Sequence, residues 1–565
     1  MLLGRGASIG VGYRCINAAW NDDPDMKTRI QTTALLVGAA LASSFTLATS
    51  SHAANAPSAT SAPVAAAPVH LPPGINWQQG DVDAAFALAK STRKPLFLYW
   101  GAVWCPPCNQ VKATIFSQQA FKDRAALFVP VYVDGDSASA QKLGEKFKVR
   151  GYPTMILFSP DGTEVSRIPG EVDFDRYMQA LALAMNATHP VRQTVAAGLA
   201  NGAKLSDGEW RMLADYSWDQ QADLPIAQDK VAVTLQTLSK HAQANHASDE
   251  ALRLELEAVA SAALSQPAQT GTLDKTAALA TTQAVLADAK LARANFDVVV
   301  NYGPTIVAYL TQPATPQRTQ LASQWDAALH TLSADTSIST TDRLSAVDGR
   351  VELAKLDVPK GTPLPKSLVD TVREQAALAD KSTTNAFERQ SVIDAAADTL
   401  ADAGLLDDSD RLLTAELKRS PAPYYFMSGL ARNAKARGDT AGALKWYQAA
   451  YDASEGPATR LRWGAKYLAG VIDLAPNDDA RVEQIATGVI SEISQTHDAF
   501  YGANRAALDR VTTGLAKWNA HGAHRAAIDK VASELGGVCG KLQANDPQHA
   551  TCEGLLRSVA VKPVA

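Results

Sequence analysis

Two unbroken apolar runs, residues 95–100 (PLFLYW) and 127–133 (LFVPVYV), stand out in the first third of the chain. Short continuous runs of this kind predict strands buried on both faces, as in a sheet covered by helices. Two more predicted strands follow, Thr154–Phe158 and Glu164–Ile168, separated by the turn Pro160-Asp161-Gly162. Helical spacing predicts helices over 81–90, 105–116, 139–147 and 174–185. Strands and helices interleaved in this way predict an α/β unit that begins near Ile75.

After His189-Pro190 the strand signals stop. The remainder is rich in Ala and Leu and has helical periodicity. Ser206-Asp207-Gly208-Glu209 reads as a capping box ahead of Trp210. Late in this stretch a period of 34 appears, pairing Gly404 with Gly438, Ile393 with Met427, Ala397 with Ala431 and Leu413 with Tyr447. Residues 390–457 therefore resemble two tetratricopeptide repeats, the first weaker; a generic helical bundle is the other reading. The aromatic groups Tyr424-Tyr425-Phe426, Trp446-Tyr447 and Trp463 read as core between helices.

The N-terminal pattern differs again. Lys27 and Arg29 precede a short apolar core, ALLVGAALA, and then small residues at Ser51-His52-Ala53. This is the plan of a cleaved export signal, and the core is too short to span a bilayer. Residues 1–53 are read as signal peptide, with Met26 as the better start because Asp22, Asp23 and Asp25 are acidic where a basic segment belongs. Residues 54–73 are rich in Ala, Pro and Ser and read as a linker. The expected division is then 74–189 for the α/β domain, 190–389 helical, 390–457 repeats and 458–565 C-terminal helices.

The chain has 565 residues, 20% charged and 46% hydrophobic, with a net charge of −5. That length needs more than one core. The balance lacks the basic face that a nucleic-acid partner requires.

Of the five cysteines, Cys15 falls in the signal, which leaves an even number for an oxidising compartment. Cys539 and Cys552 are expected to form a structural disulfide. Cys105 and Cys108 sit where a buried strand hands over to a helix, in Trp104-Cys105-Pro106-Pro107-Cys108. At a helix N-terminus, unpaired N–H groups and the helix dipole stabilise a thiolate, so Cys105 is the expected nucleophile and Cys108 the resolving thiol. A zinc site needs two more ligands at suitable spacing, and none lies nearby. His521 and His524 lack a third ligand too, and no metal or other cofactor is expected. A structural disulfide without turnover is the other reading of the pair.

With Gly151-Tyr152-Pro153-Thr154 placed before a strand some 45 residues later, these motifs resemble the thioredoxin superfamily. Thr114-Ile115-Phe116-Ser117, VDGDSASAQKLGEKF and FSPDGTE are similar to the C-terminal periplasmic domain of the transmembrane thiol–disulfide interchange proteins. The resemblance covers about 76–185. It implies a thioredoxin fold followed by an all-α region, a cis-proline at Pro153 facing the pair, and substrate contact through Trp104 and Tyr152. It also implies protein disulfides as substrates and a membrane thiol–disulfide protein as electron donor. Two family features are missing. Tyr99 stands where an aspartate is usual, and Pro130 near where its partner lysine would be, so the base for Cys108 is unassigned.

Proline at both positions between the cysteines favours a less stabilised thiolate, hence a reductase or isomerase over an oxidant. The helical region is expected to recruit client or partner proteins. The competing reading is a helical scaffold whose thioredoxin-like domain serves for docking.

Overall fold

The computed structural model describes residues 71–560 except 171–172, 201–203, 219–223, 225, 266–272 and 495. The signal-peptide reading, Cys15 and most of the linker lie outside the described residues.

The run PLFLYW becomes strand β2, Leu96–Gly101, with every residue buried. It is central in a five-stranded sheet of order β1-β3-β2-β4-β5. β3 (Val129–Asp134) lies parallel to it, and β4 (Thr154–Phe158) antiparallel on its other side. β5 (Glu164–Ile168) closes one edge and the two-residue β1 (Gln78–Gln79) the other. A mixed sheet with helices against both faces is the α/β thioredoxin fold that the sequence predicts. Its helices are α1 (Val82–Thr92), α2 (Pro106–Val111), α3 (Gln119–Ala125), α4 (Ala140–Lys146) and α5 (Phe174–Met185).

Three details differ from the pattern. The strand read from residue 127 starts at Val129, because Leu127 is exposed. β1 and α3 were not expected; each is too short to show a period. The helix read over 105–116 starts at Pro106 and becomes π-helical at Lys112–Phe116, where Ser117 N–H bonds back to the Lys112 carbonyl.

From Val191 onward the described chain is helical. The capping box at Ser206 and Glu209 forms with both reciprocal hydrogen bonds. Late in the region the helices Ala386–Asp402 and Leu406–Glu416 form one hairpin and Pro423–Ala436 and Thr440–Ala453 the next. Gly404 and Gly438, the pair 34 residues apart, close these two hairpins at φ of 80° and 78°. The helices Pro457–Leu474 and Asp479–Ile493 follow. No helix among the described residues is long and apolar enough to cross a membrane.

The helical region does not stand apart from the sheet. Ala422, Tyr424, Ala450 and Trp463 belong to the same hydrophobic core as β2 and β3. Around its rim the α/β unit is tied down by polar contacts. Arg176 on α5 donates to Asp215 and to the Ala294 carbonyl, Gln110 to Ser339, and the Gln141 N–H to Asp498.

Candidate active site

Cys105 caps α2. Its Sγ accepts the Cys108 N–H at 3.2 Å, and Pro106 fills the first helical position, where its missing N–H costs nothing. Cys105 and Cys108 are disulfide-bonded, with Cα atoms 5.2 Å apart. The sheet sets what faces them. Trp100 of β2 pairs with Thr154 of β4, so the loop before β4 lies beside the loop after β2. The Tyr152–Pro153 peptide bond in that loop is cis. The Trp104 and Tyr152 rings are 6.2 Å apart. Gly101 closes β2 under the pair. A Cβ there would come within 2.9 Å of Tyr99 Oη and 3.5 Å of Cys108 Sγ, so the position has no room for a side chain.

Tyr99, at the position of the missing aspartate, is fully buried, and its hydroxyl donates to the Cys108 carbonyl at 3.4 Å. Burial, reinforced by Asp134, pushes its phenol well above the ordinary range, so it stays protonated. Pro130 lies in β3 opposite Phe97. A buried cation nevertheless follows the pair along the chain. Lys112, four residues beyond Cys108, is 1% exposed, with Nζ 3.4 Å from Asn109 Oδ1 and 5.9 Å from the Tyr132 ring centre. Burial lowers its amine to about 8, against the opposing pull of Asp134. Sequence reasoning missed it. A lysine in a helix reads as surface, and only the π turn hints at an altered register.

The front of the site is closed. Cys105 is 2% exposed and Cys108 0%. Trp104 is stacked on Tyr425 at 6.0 Å and meets Trp463 edge-on at 5.1 Å. Its Nε1 donates to Thr459 Oγ1 at 2.9 Å, and the Arg462 guanidinium lies 4.5 Å over its ring. The same guanidinium is 5.7 Å from the Tyr152 ring centre. Burial lowers the Arg462 pKa to about 10. Tyr425 and Trp463, read from sequence as core between helices, thus face the redox loop as well.

Thr459 connects further. Its hydroxyl and its N–H both donate to Asp136, in the loop after β3. Burial, with Asp134 close by, raises the Asp136 carboxyl to about 6. Trp104, Thr459 and Asp136 therefore form one hydrogen-bonded chain from the redox loop, through the first turn of Pro457–Leu474, back to the sheet.

Cys539 and Cys552 are also disulfide-bonded, joining the last residue of Arg525–Cys539 to the middle of Pro547–Val559. Both are fully buried, far from any strand-to-helix junction. His524 stacks on Trp518 and contacts Asp479. Among the described residues no group of three His, Cys, Asp or Glu could hold a metal.

A mixed sheet, a Cys-x-x-Cys pair capping a helix, and a cis-proline loop beside it define the class: a thioredoxin-fold protein with a cysteine pair able to cycle between dithiol and disulfide. The model of the thioredoxin-like domain family matches residues 82–184. The chain is 33% identical over 90 residues to a thioredoxin H-type from Oryza sativa subsp. indica, covering 16% of this chain and 69% of that protein. It is 32% identical over 105 residues to the thiol:disulfide interchange protein DsbD of Pseudomonas fluorescens, a match that spans only 18% of either protein. A solution structure of a thioredoxin from Thermus thermophilus matches 19% of this chain and 86% of that one, at 24% identity and a TM-score of 0.18. Through residues 82–184 the chain belongs to the thioredoxin-like family, and its homology to thiol:disulfide interchange proteins supports thiol–disulfide exchange as its chemistry. Exchange on this fold needs no cofactor.

Proposed function

We propose that the chain is an exported, periplasmic protein-disulfide oxidoreductase that works as a reductase or isomerase. The observation that carries this reading is Cys105 as the cap of α2, with Cys108 one turn on and the Tyr152–Pro153 loop beside it. The Cys105 thiolate attacks one sulfur of a substrate disulfide and releases the other as a thiolate, giving a mixed disulfide. Cys108, once deprotonated, attacks Cys105 Sγ and releases the second substrate thiol. Two electrons pass to the substrate, and Cys105–Cys108 is left oxidised. A membrane thiol–disulfide protein returns two electrons and restores the dithiol. Trp104, Tyr152 and Pro153 form the substrate-facing wall, and Cys539–Cys552 is structural.

The helical region, expected to recruit clients, lies directly on that wall. This favours a second reading, a helical scaffold in which the thioredoxin-like unit mainly docks. Reduction of a small aromatic disulfide by the full chain separates the two. Activity that disappears in Cys105→Ser supports the enzyme, and no activity above that variant supports the scaffold. Mixed disulfides trapped on Cys105 by Cys108→Ala in the periplasm would identify the substrates.

A further inference from the structure

The helix Pro457–Leu474 contributes Thr459, Arg462 and Trp463 to the redox loop. Their spacing of three and four residues puts all three on one helical face. Each makes a different kind of contact with the same side chain, Trp104. Thr459 accepts its Nε1–H at 2.9 Å, Arg462 covers its face at 4.5 Å, and Trp463 meets it edge-on at 5.1 Å. Arg462 reaches the Tyr152 ring as well, so the face spans both loops that border Cys105.

An arginine enclosed between two aromatic rings, with its pKa lowered by burial, serves packing within a helical bundle less well than an aliphatic residue would. The entry of the helix is adapted to the redox domain too. Gly456 precedes it at a φ of 89°, and a Cβ there would lie 2.4 Å from Asp136 Cγ. Glycine thus lets Asp136 reach the first turn and hold Thr459 in place.

Exchange requires an incoming sulfur to line up behind Cys105 Sγ. In the closed arrangement that approach is shut on the side of Trp104 and Tyr152. A small reagent needs only a local breathing motion. A disulfide carried on a folded protein needs the helix face to leave.

We infer that Thr459, Arg462 and Trp463 are specificity-determining residues of the exchange reaction: as a cover on Trp104 and Tyr152 they admit small thiols and disulfides to Cys105 and exclude folded proteins until the helix is displaced. This rests on Cys105 being the attacking thiol.

The test uses the full chain carrying Cys108→Ala, so that Cys105 is the reacting thiol, with Cys105→Ser as the blank. Cys105 is alkylated with N-ethylmaleimide and, separately, with a polyethylene-glycol maleimide. The ratio of the two rates is compared with that of an unstructured peptide carrying one cysteine. The covered site is expected to discriminate at least about tenfold more than the peptide, as for a group reached only through local opening. Thr459→Val keeps the volume and removes the hydroxyl, and should narrow the ratio about fivefold, the effect of one lost hydrogen bond on the opening equilibrium. Thr459→Ser should restore it, which a purely steric role for the threonine would not predict. Arg462→Gln should narrow it independently. A parent ratio equal to the peptide's overturns the inference, whether or not any variant folds. So does an unchanged ratio in folded Thr459→Val and Arg462→Gln. Failure of the enzymatic reading appears elsewhere, as reduction of a small aromatic disulfide that does not depend on Cys105.

Discussion

Trp104 Nε1 donates a hydrogen bond to Thr459 Oγ1 across 355 residues of chain. The residue beside the redox cysteine is therefore satisfied by a helix that follows the whole thioredoxin-like unit and most of the helical region. Trp104→Phe keeps an aromatic ring and loses the donor, and should cost about 1 kcal/mol in denaturant unfolding. Trp104→Ala also empties the space between Tyr425 and Trp463, and should cost about 3–5 kcal/mol. No loss in Trp104→Phe would show that the hydrogen bond contributes nothing, and equal losses in the two variants that the ring packing adds nothing beyond it.

Gly456→Ala combines an unfavourable φ with a Cβ 2.4 Å from Asp136 Cγ. It should destabilise by about 1–3 kcal/mol, the usual range for a strained backbone position. Gly537→Ala, in the last turn of its helix where a Cβ meets nothing within 4 Å, is the control and should be neutral or stabilising.

Asp136 gives the closed form a pH dependence. Its carboxyl is raised to about 6 from 3.8, first by burial and then by Asp134. The folded protein therefore holds this proton more tightly than the unfolded chain does. The contribution is fully present below about pH 4 and is lost as pH rises through 6. Melting temperatures across pH 4 to 7 should fall less steeply in Asp136→Asn than in wild type. Parallel curves would remove Asp136 as the cause.

Lys112 behaves in the opposite sense. Burial lowers its amine from 10.5 to about 8, so between those values the unfolded chain binds more protons and stability rises with pH. Lys112→Met should be more stable than wild type at neutral pH, with the gap shrinking as pH climbs past 8. If Lys112 also takes the proton from Cys108, the same variant should slow turnover of a small aromatic disulfide at pH 8.

Cys539–Cys552 closes a loop of 13 residues' separation. Replacing both by Ala should cost about 3 kcal/mol in the chain-entropy account and leave exchange activity intact. Loss of activity at unchanged stability would instead mark a second redox pair.

The parts of the fold that the sequence makes legible are those whose pattern is local. PLFLYW is apolar at every position because β2 is covered on both faces, and Cys105 and Cys108 mark the helix start because they follow that strand directly. The cover is invisible for a physical reason. An aromatic side chain such as Tyr425 or Trp463 looks the same in sequence whether it packs on a neighbouring helix or on a distant loop. Thr459 has no pattern that ties it to Trp104, and the register of Ala-rich helices is too uniform to say which face turns inward. The sequence divides the chain at 189, yet Trp463 shares one core with β2 and β3.

That shared core has a consequence for the order of synthesis. Chains fold largely as they emerge, N-terminal units first. The strands and both redox cysteines are complete hundreds of residues before Pro457–Leu474 exists. For that interval Cys105 has no lid, and any thiol or disulfide in the compartment can reach it. The newborn protein is thus more promiscuous than the finished one, and a partner joined to Cys105 at that stage would leave the late helix with nowhere to dock.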